Sequence, residues 1–252
     1  MTEEPPASET RVLNYSSSVT WHVAAVVFAA LIVGSVIGWI LAKRAKTDST
    51  KATVANLNAR MKSWWVMVLV LFGALAAGRL GGVLIFALIS FLALREFLTA
   101  TPTRRADHSS LFASFFIILP YQFYIVYIGW YGLFAIMVPV YAFVLIPGLM
   151  ALAGDATDFL ERTARTQWGL MVCVYFISHI PMLMTLDVCP LRMGKAGLVF
   201  FLIAVTQGSD VLQYVWGKLC GKTPIVPKLS PKKTVEGFVG GVLCASALGA
   251  AM

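Results

Sequence analysis

Residues 111–153 read LFASFFIILPYQFYIVYIGWYGLFAIMVPVYAFVLIPGLMALA, without one charged side chain. A helix needs about 20 mostly apolar residues to cross a bilayer. This stretch supplies two such runs, Leu111–Ile128 and Tyr131–Ala153. Tyr127, Trp130 and Tyr131 lie between them, and amphipathic rings of this kind collect at a membrane–water interface. In hydrocarbon every backbone polar group must be satisfied within the chain, so runs this long and apolar span as helices.

The composition agrees. Of the 252 residues, 59% are hydrophobic and 13% charged, against about 25% charged in soluble domains. The mean hydropathy is +0.80. A water-soluble fold of this length cannot hide so much apolar surface. The net charge of +8 is first a topology signal, because Lys and Arg concentrate in cytoplasmic loops. No nucleic-acid partner is expected.

Working outward, a polar tail over 1–18 precedes a first span, Val19–Ala42, closed by Lys43-Arg44. The run is too long for a signal peptide and its basic flank follows it, so it reads as a retained span. A basic linker covers 43–63. Trp64–Gly78 and Gly82–Leu98 are short for crossings, and Arg79-Leu80-Gly81-Gly82 between them is a turn signal. They read either as two thin spans or as a re-entrant hairpin. Gln167–Leu186 and Gly197–Trp216 are further spans. Val235–Met252 begins a last one and ends while still apolar, so it is expected to be truncated. Pro120, Pro139, Pro147 and Pro181 fall in or beside spans as helix kinks. The expectation is an all-α, polytopic transmembrane helical bundle of about seven to eight spans, with 19–252 as one membrane domain. Placing the N-terminus outside puts 16 of the 20 Lys and Arg on inside loops and makes 216–234 cytoplasmic.

Cys173, Cys189, Cys220 and Cys244 form no CxxC pair and no metal-ligand spacing with histidine. They read as small apolar filler. His179, alone inside a span, reads as a packing residue. Arg104-Arg105 and the 43–63 linker suit anionic lipid headgroups, although topology explains their charge equally well.

The chemistry concentrates in 206–241, TQGSDVLQYVWGKLCGKTPIVPKLSPKKTVEGFVGG. Asp210 is ionisable within an otherwise apolar span, where charge is costly and usually functional. Gln207, Asp210, Tyr214 and Gly217 fall on one helical face. Gly217-Lys218 and Gly221-Lys222 repeat at a spacing of four. Glycine admits close backbone approach and lysine neutralises phosphate, although a plain basic flank explains this pair as well. Ser230-Pro231 suits a helix start with Ser230 as N-cap. Lys232, Lys233 and Thr234 at such a helix N-terminus suit phosphate. Glu236 can ligate a metal or orient a lysine, and Gly237, Gly240 and Gly241 allow close helix packing.

These residues, Ser209-Asp210-x3-Tyr214-x2-Gly217-Lys218-x2-Gly221-Lys222 and then Ser230-Pro231-Lys232-Lys233-Thr234-x-Glu236-Gly237-x2-Gly240-Gly241, resemble the phosphatidate cytidylyltransferases, or CDP-diacylglycerol synthases. The resemblance covers about the last fifth of the chain. It implies transfer of CMP from CTP to phosphatidic acid in phospholipid biosynthesis, giving CDP-diacylglycerol and pyrophosphate, with Mg2+ as cofactor. It also implies catalytic roles for Asp210, Lys232, Lys233 and Glu236, with Asp210 holding the metal. Tyr214, Gly217, Lys218, Gly221, Lys222, Ser230 and Thr234 would bind substrate. Membrane lipids are the surrounding partners and a homodimer is an expected assembly. The bacterial inner (plasma) membrane is the expected location, with the site facing the cytoplasm. The family carries a further Asp- and His-containing signature downstream that these 252 residues lack, so an inactive truncated member is one alternative. A CTP-dependent polyprenol or dolichol kinase and a membrane transporter are the others.

Overall fold

A computed structural model describes residues 25–251 apart from 26, 30, 45–47, 187–193 and 229. The polar tail 1–18, the start of the first span and most of the 187–196 loop lie outside the described residues. The described residues form eight helices: α1 Val27–Arg44, α2 Asp48–Ala76, α3 Gly78–Thr99, α4 Arg105–Ile128, α5 Tyr131–Leu152, α6 Phe159–Thr185, α7 Gly194–Cys220 and α8 Val235–Ala251. Seven are long and apolar enough to cross a membrane, and α8 is a shorter apolar helix. The protein is a polytopic helical membrane protein. To the expected all-α architecture it adds one short antiparallel hairpin, β1 Pro224–Val226 paired with β2 Ser230–Thr234.

The described residues divide into two compact units, one drawn from 1–40 with 189–252 and the other from 41–188. In the second unit, α2 and α3 are not short. α2 runs 29 residues and α3 runs 22, so each can cross alone. Residues 48–63 of the basic linker form the N-terminal part of α2. The turn falls at Gly78, whose φ of +76° is left-handed and suits a residue without Cβ. It precedes the expected Arg79–Gly82 position. α6 likewise begins eight residues before the expected Gln167.

Arg162 explains that early start. Its guanidinium is buried and donates to Asp107 Oδ1 through Nε at 2.8 Å and Nη2 at 2.5 Å. Its Nη1 donates to the carbonyls of Thr157 at 2.9 Å and Asp155 at 3.2 Å. A buried charge is tolerated only when paired and fully hydrogen-bonded, and here the partners come from two different connections. Arg104 joins the cluster by an ion pair with Asp158 at 2.8 Å. The Asp155 carboxyl sits below its usual range, chiefly because the Thr157 N–H donates to it.

Intramembrane polar side chains in this unit cover carbonyls that prolines release. Proline has no N–H, so it leaves the carbonyl four residues earlier unpaired. Pro147 frees Phe143 O, and Gln167 Nε2 donates to it at 2.8 Å. Pro139 sits in a π-helical turn, Met137–Ala142. The Tyr175 hydroxyl donates to Ala135 O at 3.1 Å, and Gln122 Nε2 reaches Phe134 O at 3.5 Å. His179 packs edge-on to the Phe134 and Tyr175 rings with Nδ1 2.8 Å from Tyr175 O, in keeping with a packing role. The core about them is apolar, with Leu94, Ile118, Ile125, Phe134 and Ile146 fully buried.

In the other unit α7 packs along α8 through small residues. A Cβ on Gly237 would lie 2.8 Å from Gly217 Cα and 2.9 Å from Gln213 O. One on Gly241 would lie 2.7 Å from Gln213 Cα, and one on Gly240 2.6 Å from the Trp216 ring. This is the small-residue helix packing that membranes favour. Trp216 Nε1 donates to Cys244 Sγ across the seam at 3.3 Å.

Candidate active site at the α7–α8 junction

The chain leaves α7 at Cys220 and closes its last turn with the Gly221 N–H on Gly217 O, 3.2 Å. It then runs out through β1 and back through β2 into α8. The expected helix start at Ser230-Pro231 is not what forms. Ser230–Thr234 is a strand, and α8 begins at Val235. Thr234 is the cap: its Oγ1 accepts the Gly237 N–H at 3.2 Å, satisfying one of the first orphan donors of α8. Pro231, with no N–H, fits a strand that has one neighbour only. The lysines therefore lie on a hairpin, not on a helix N-terminus.

Glu236 ties the hairpin to α7. Its Oε2 accepts the backbone N–H of Lys222 at 3.0 Å and of Thr223 at 3.1 Å, and its Oε1 accepts the Thr223 hydroxyl at 2.9 Å. The Val235 N–H donates back to Thr223 O at 2.9 Å. Glu236 sits in the first turn of α8, ahead of the apolar run. Led by the Lys222 N–H, these donors hold its carboxyl at about 2, against an ordinary 4.5. A carboxylate that accepts several N–H bonds behaves this way. Three of the carboxylate's roughly four lone-pair positions are taken by the protein's own loop, which supports orienting the lysine loop over ligating a metal.

Of the expected site residues, the fold brings two sequence segments together. Gly217 and Gly221 face Thr234: a Cβ on Gly221 would fall 2.6 Å from Thr234 Oγ1, and one on Gly217 3.4 Å from it. Their lack of a side chain makes room for α8 and its cap. Lys218, Lys222 and Lys233 are exposed. The backbone of Lys232 lies in β2, and its side chain is outside the described residues. Ser230 is half-buried in β2. Tyr214 is exposed, with Lys218 Nζ 5.9 Å from the centre of its ring. Thr223 and Gln213 were not anticipated. The only sequence signal for Thr223 was its place beside Lys222.

Asp210 stands apart. It and Gly217 are separated by seven residues of α7, about 10 Å of helical rise, and Gly217 is the residue that Glu236's neighbour Gly237 touches. Asp210 opens onto a cavity of about 370 Å³ between α7 and α8, lined also by Thr206, Ser209 and Ser246, with Val205, Val242 and Ala245. It is exposed, and no described residue pairs with its carboxylate. Among the described residues no three His, Cys, Asp or Glu side chains gather to hold a metal. One carboxylate with neighbouring hydroxyls fits Mg2+ that is held mainly by phosphate oxygens, the usual mode for a nucleotide-borne ion.

The model of the cytidylyltransferase family matches residues 58–252. The chain belongs to the cytidylyltransferase family. Over 223 residues it is 33% identical to YnbB of Escherichia coli (strain K12), an uncharacterized protein, covering 87% of this chain and 70% of that one. It is 66% identical over 38 residues to the phosphatidate cytidylyltransferase of Aquifex aeolicus (strain VF5), 15% of each chain. It is 31% identical over 87 residues to phosphatidate cytidylyltransferase 1 of Rattus norvegicus, 33% of this chain and 19% of that one. The matched parts of those two named enzymes are thus under a fifth of their length. No solved structure matches the chain.

Proposed function

We propose that this cytidylyltransferase transfers CMP from CTP to phosphatidic acid, giving CDP-diacylglycerol and pyrophosphate. One observation carries the reading: exposed lysines on α7 and the hairpin lie at one end of a helix pair whose Asp210 cavity is bordered by apolar residues. A water-soluble polyphosphate suits the first and a lipid headgroup the second. The short matches to phosphatidate cytidylyltransferases support the same pair of substrates. The bias of Lys and Arg toward alternate loops supports a cytoplasmic position for this end, where CTP is present.

The reaction asks little covalent chemistry of the protein. An ionised phosphatidate oxygen attacks the α-phosphorus of CTP. The bond from that phosphorus to the bridging oxygen breaks, and pyrophosphate leaves with the electron pair. Catalysis then rests on positioning and charge neutralisation. Lys218, Lys222, Lys232 and Lys233 bind the β- and γ-phosphates and neutralise the departing pyrophosphate. The Ser209 and Thr206 hydroxyls orient the lipid phosphate in the cavity. Tyr214 lies between these groups on the same helix. Asp210 is the residue to hold Mg2+, which when bound draws charge from the phosphate oxygens.

Labelled CTP tests this in detergent micelles containing phosphatidic acid, a polyprenol and Mg2+. Label in the α-phosphate should appear in lipid while label in the γ-phosphate should not. Incorporation of γ-label into a polyprenol would show a kinase instead, and incorporation of neither would reject both.

A further inference from the structure

We propose that Glu236 and Thr223 form a clasp that sets the phosphate-binding lysines in place, so that Glu236 serves as a positioning residue and neither ligates metal nor moves a proton. The proposal deepens the reading above and rests on it for its kinetic arm.

The hairpin has little else to hold it. β1 is exposed along its whole length. Its register breaks between the Pro224–Thr234 and Val226–Ser230 pairs. Isolated two-stranded hairpins are marginal in water. What anchors this one lies at its base. Glu236 receives three donors from Lys222 and Thr223, and the Val235 N–H closes the ring on Thr223 O. The ring joins Lys222 and Thr223, two and three residues past the end of α7, to the first turn of α8. Lys222 is itself a member, and Lys233 is one residue from the capping Thr234. Loosening the ring therefore frees Lys222 and Lys233 together. Of the roughly four lone-pair positions of its carboxylate, Glu236 gives three to its own loop, the pattern of a group that holds a loop in place. The residue that could hold a metal, Asp210, is about two helical turns away along α7.

Two arms test the clasp separately from the function. In the first, hydrogen–deuterium exchange of the 222–234 peptide is compared between wild type and E236A, with α6 amides as internal reference. The clasp predicts at least tenfold faster exchange in the hairpin and no change in α6. Unchanged hairpin exchange would overturn it, whatever the enzyme does. In the second, E236A, E236Q, T223V and the E236Q/T223V double variant are assayed for CMP transfer. The clasp predicts a rise in KM for CTP of about tenfold in E236A and less in E236Q, with kcat within about threefold. It also predicts that T223V added to E236Q costs little more than either alone, the coupling expected of groups in one network. A collapse of kcat at unchanged KM in E236Q, or strictly additive effects, would overturn it. A wild type that transfers no CMP defeats the functional reading alone and leaves the exchange result to decide the clasp.

Discussion

Gly217 on α7 and Gly237 on α8 meet backbone to backbone, with room for no Cβ on Gly237, which would sit 2.8 Å from Gly217 Cα. Backbone cannot yield as a flexible side chain does. G237A should therefore push the two helices apart and destabilise the fold by about 1–3 kcal/mol, the usual scale of overpacking. The melting temperature in detergent measures this. CMP transfer should fall with it, because Thr234 and Glu236 flank the contact.

The buried ion pair between Arg162 and Asp107 makes a sharper stability prediction. R162A leaves a carboxylate buried beside a cavity and should cost about 3–5 kcal/mol. Replacing both partners, R162M with D107L, should recover much of that loss. Thermal unfolding of the two variants in one detergent checks the order.

Much of this architecture was legible in sequence, and the misses share one physical cause. Leu111–Ala153 announces two helices by length and lack of charge alone, and both form. The boundary of α6 was misplaced because Arg162 and Arg165 look like loop residues until Asp107 is known to lie against Arg162, some 55 residues away in sequence. Ser230-Pro231 satisfies every local rule for a helix start. It is a strand because it pairs with 224–226 and because Glu236, Thr223 and Val235 close the base of the hairpin, contacts that no local pattern displays. The residue types of the site were visible, but their division of labour was not. Gly217 and Gly221 read as room for a ligand, and the fold uses that room for Thr234 and Gly237.

Gln167 gives a test of the proline reading. Q167L removes the donor that covers Phe143 O, the carbonyl freed by Pro147, and should cost about 0.6–2 kcal/mol, as for other hydrogen bonds between membrane helices. In a P147A background the helix supplies its own N–H, and the same substitution should cost close to nothing. A double-mutant cycle on thermal stability reads the difference.

The pH dependence follows from Glu236. Its folded value of about 2 lies below the ordinary 4.5, so its ionised form is favoured by folding. The contribution is complete above about pH 4.5 and is lost as pH falls toward 2. Hairpin amides should therefore lose protection against hydrogen exchange across that acid window in wild type. In E236Q the same amides should show a much flatter profile.

Asp210 should matter for turnover and not for folding, since its carboxylate is exposed on the cavity and has no described partner. D210N should lower kcat/KM by on the order of tenfold or more, at least about 1.4 kcal/mol in barrier, while the melting temperature holds. A parallel fall in melting temperature would mean that the carboxylate supports the fold.

The most direct test of the central claim is mass-spectrometric identification of the lipid formed from CTP and phosphatidic acid by the purified protein, beside a K218Q/K222Q/K233Q variant of unchanged melting temperature. The account predicts CDP-diacylglycerol from the wild type and its near-complete loss in the variant. Equal product from both, or no cytidine-bearing lipid from the wild type, would contradict it.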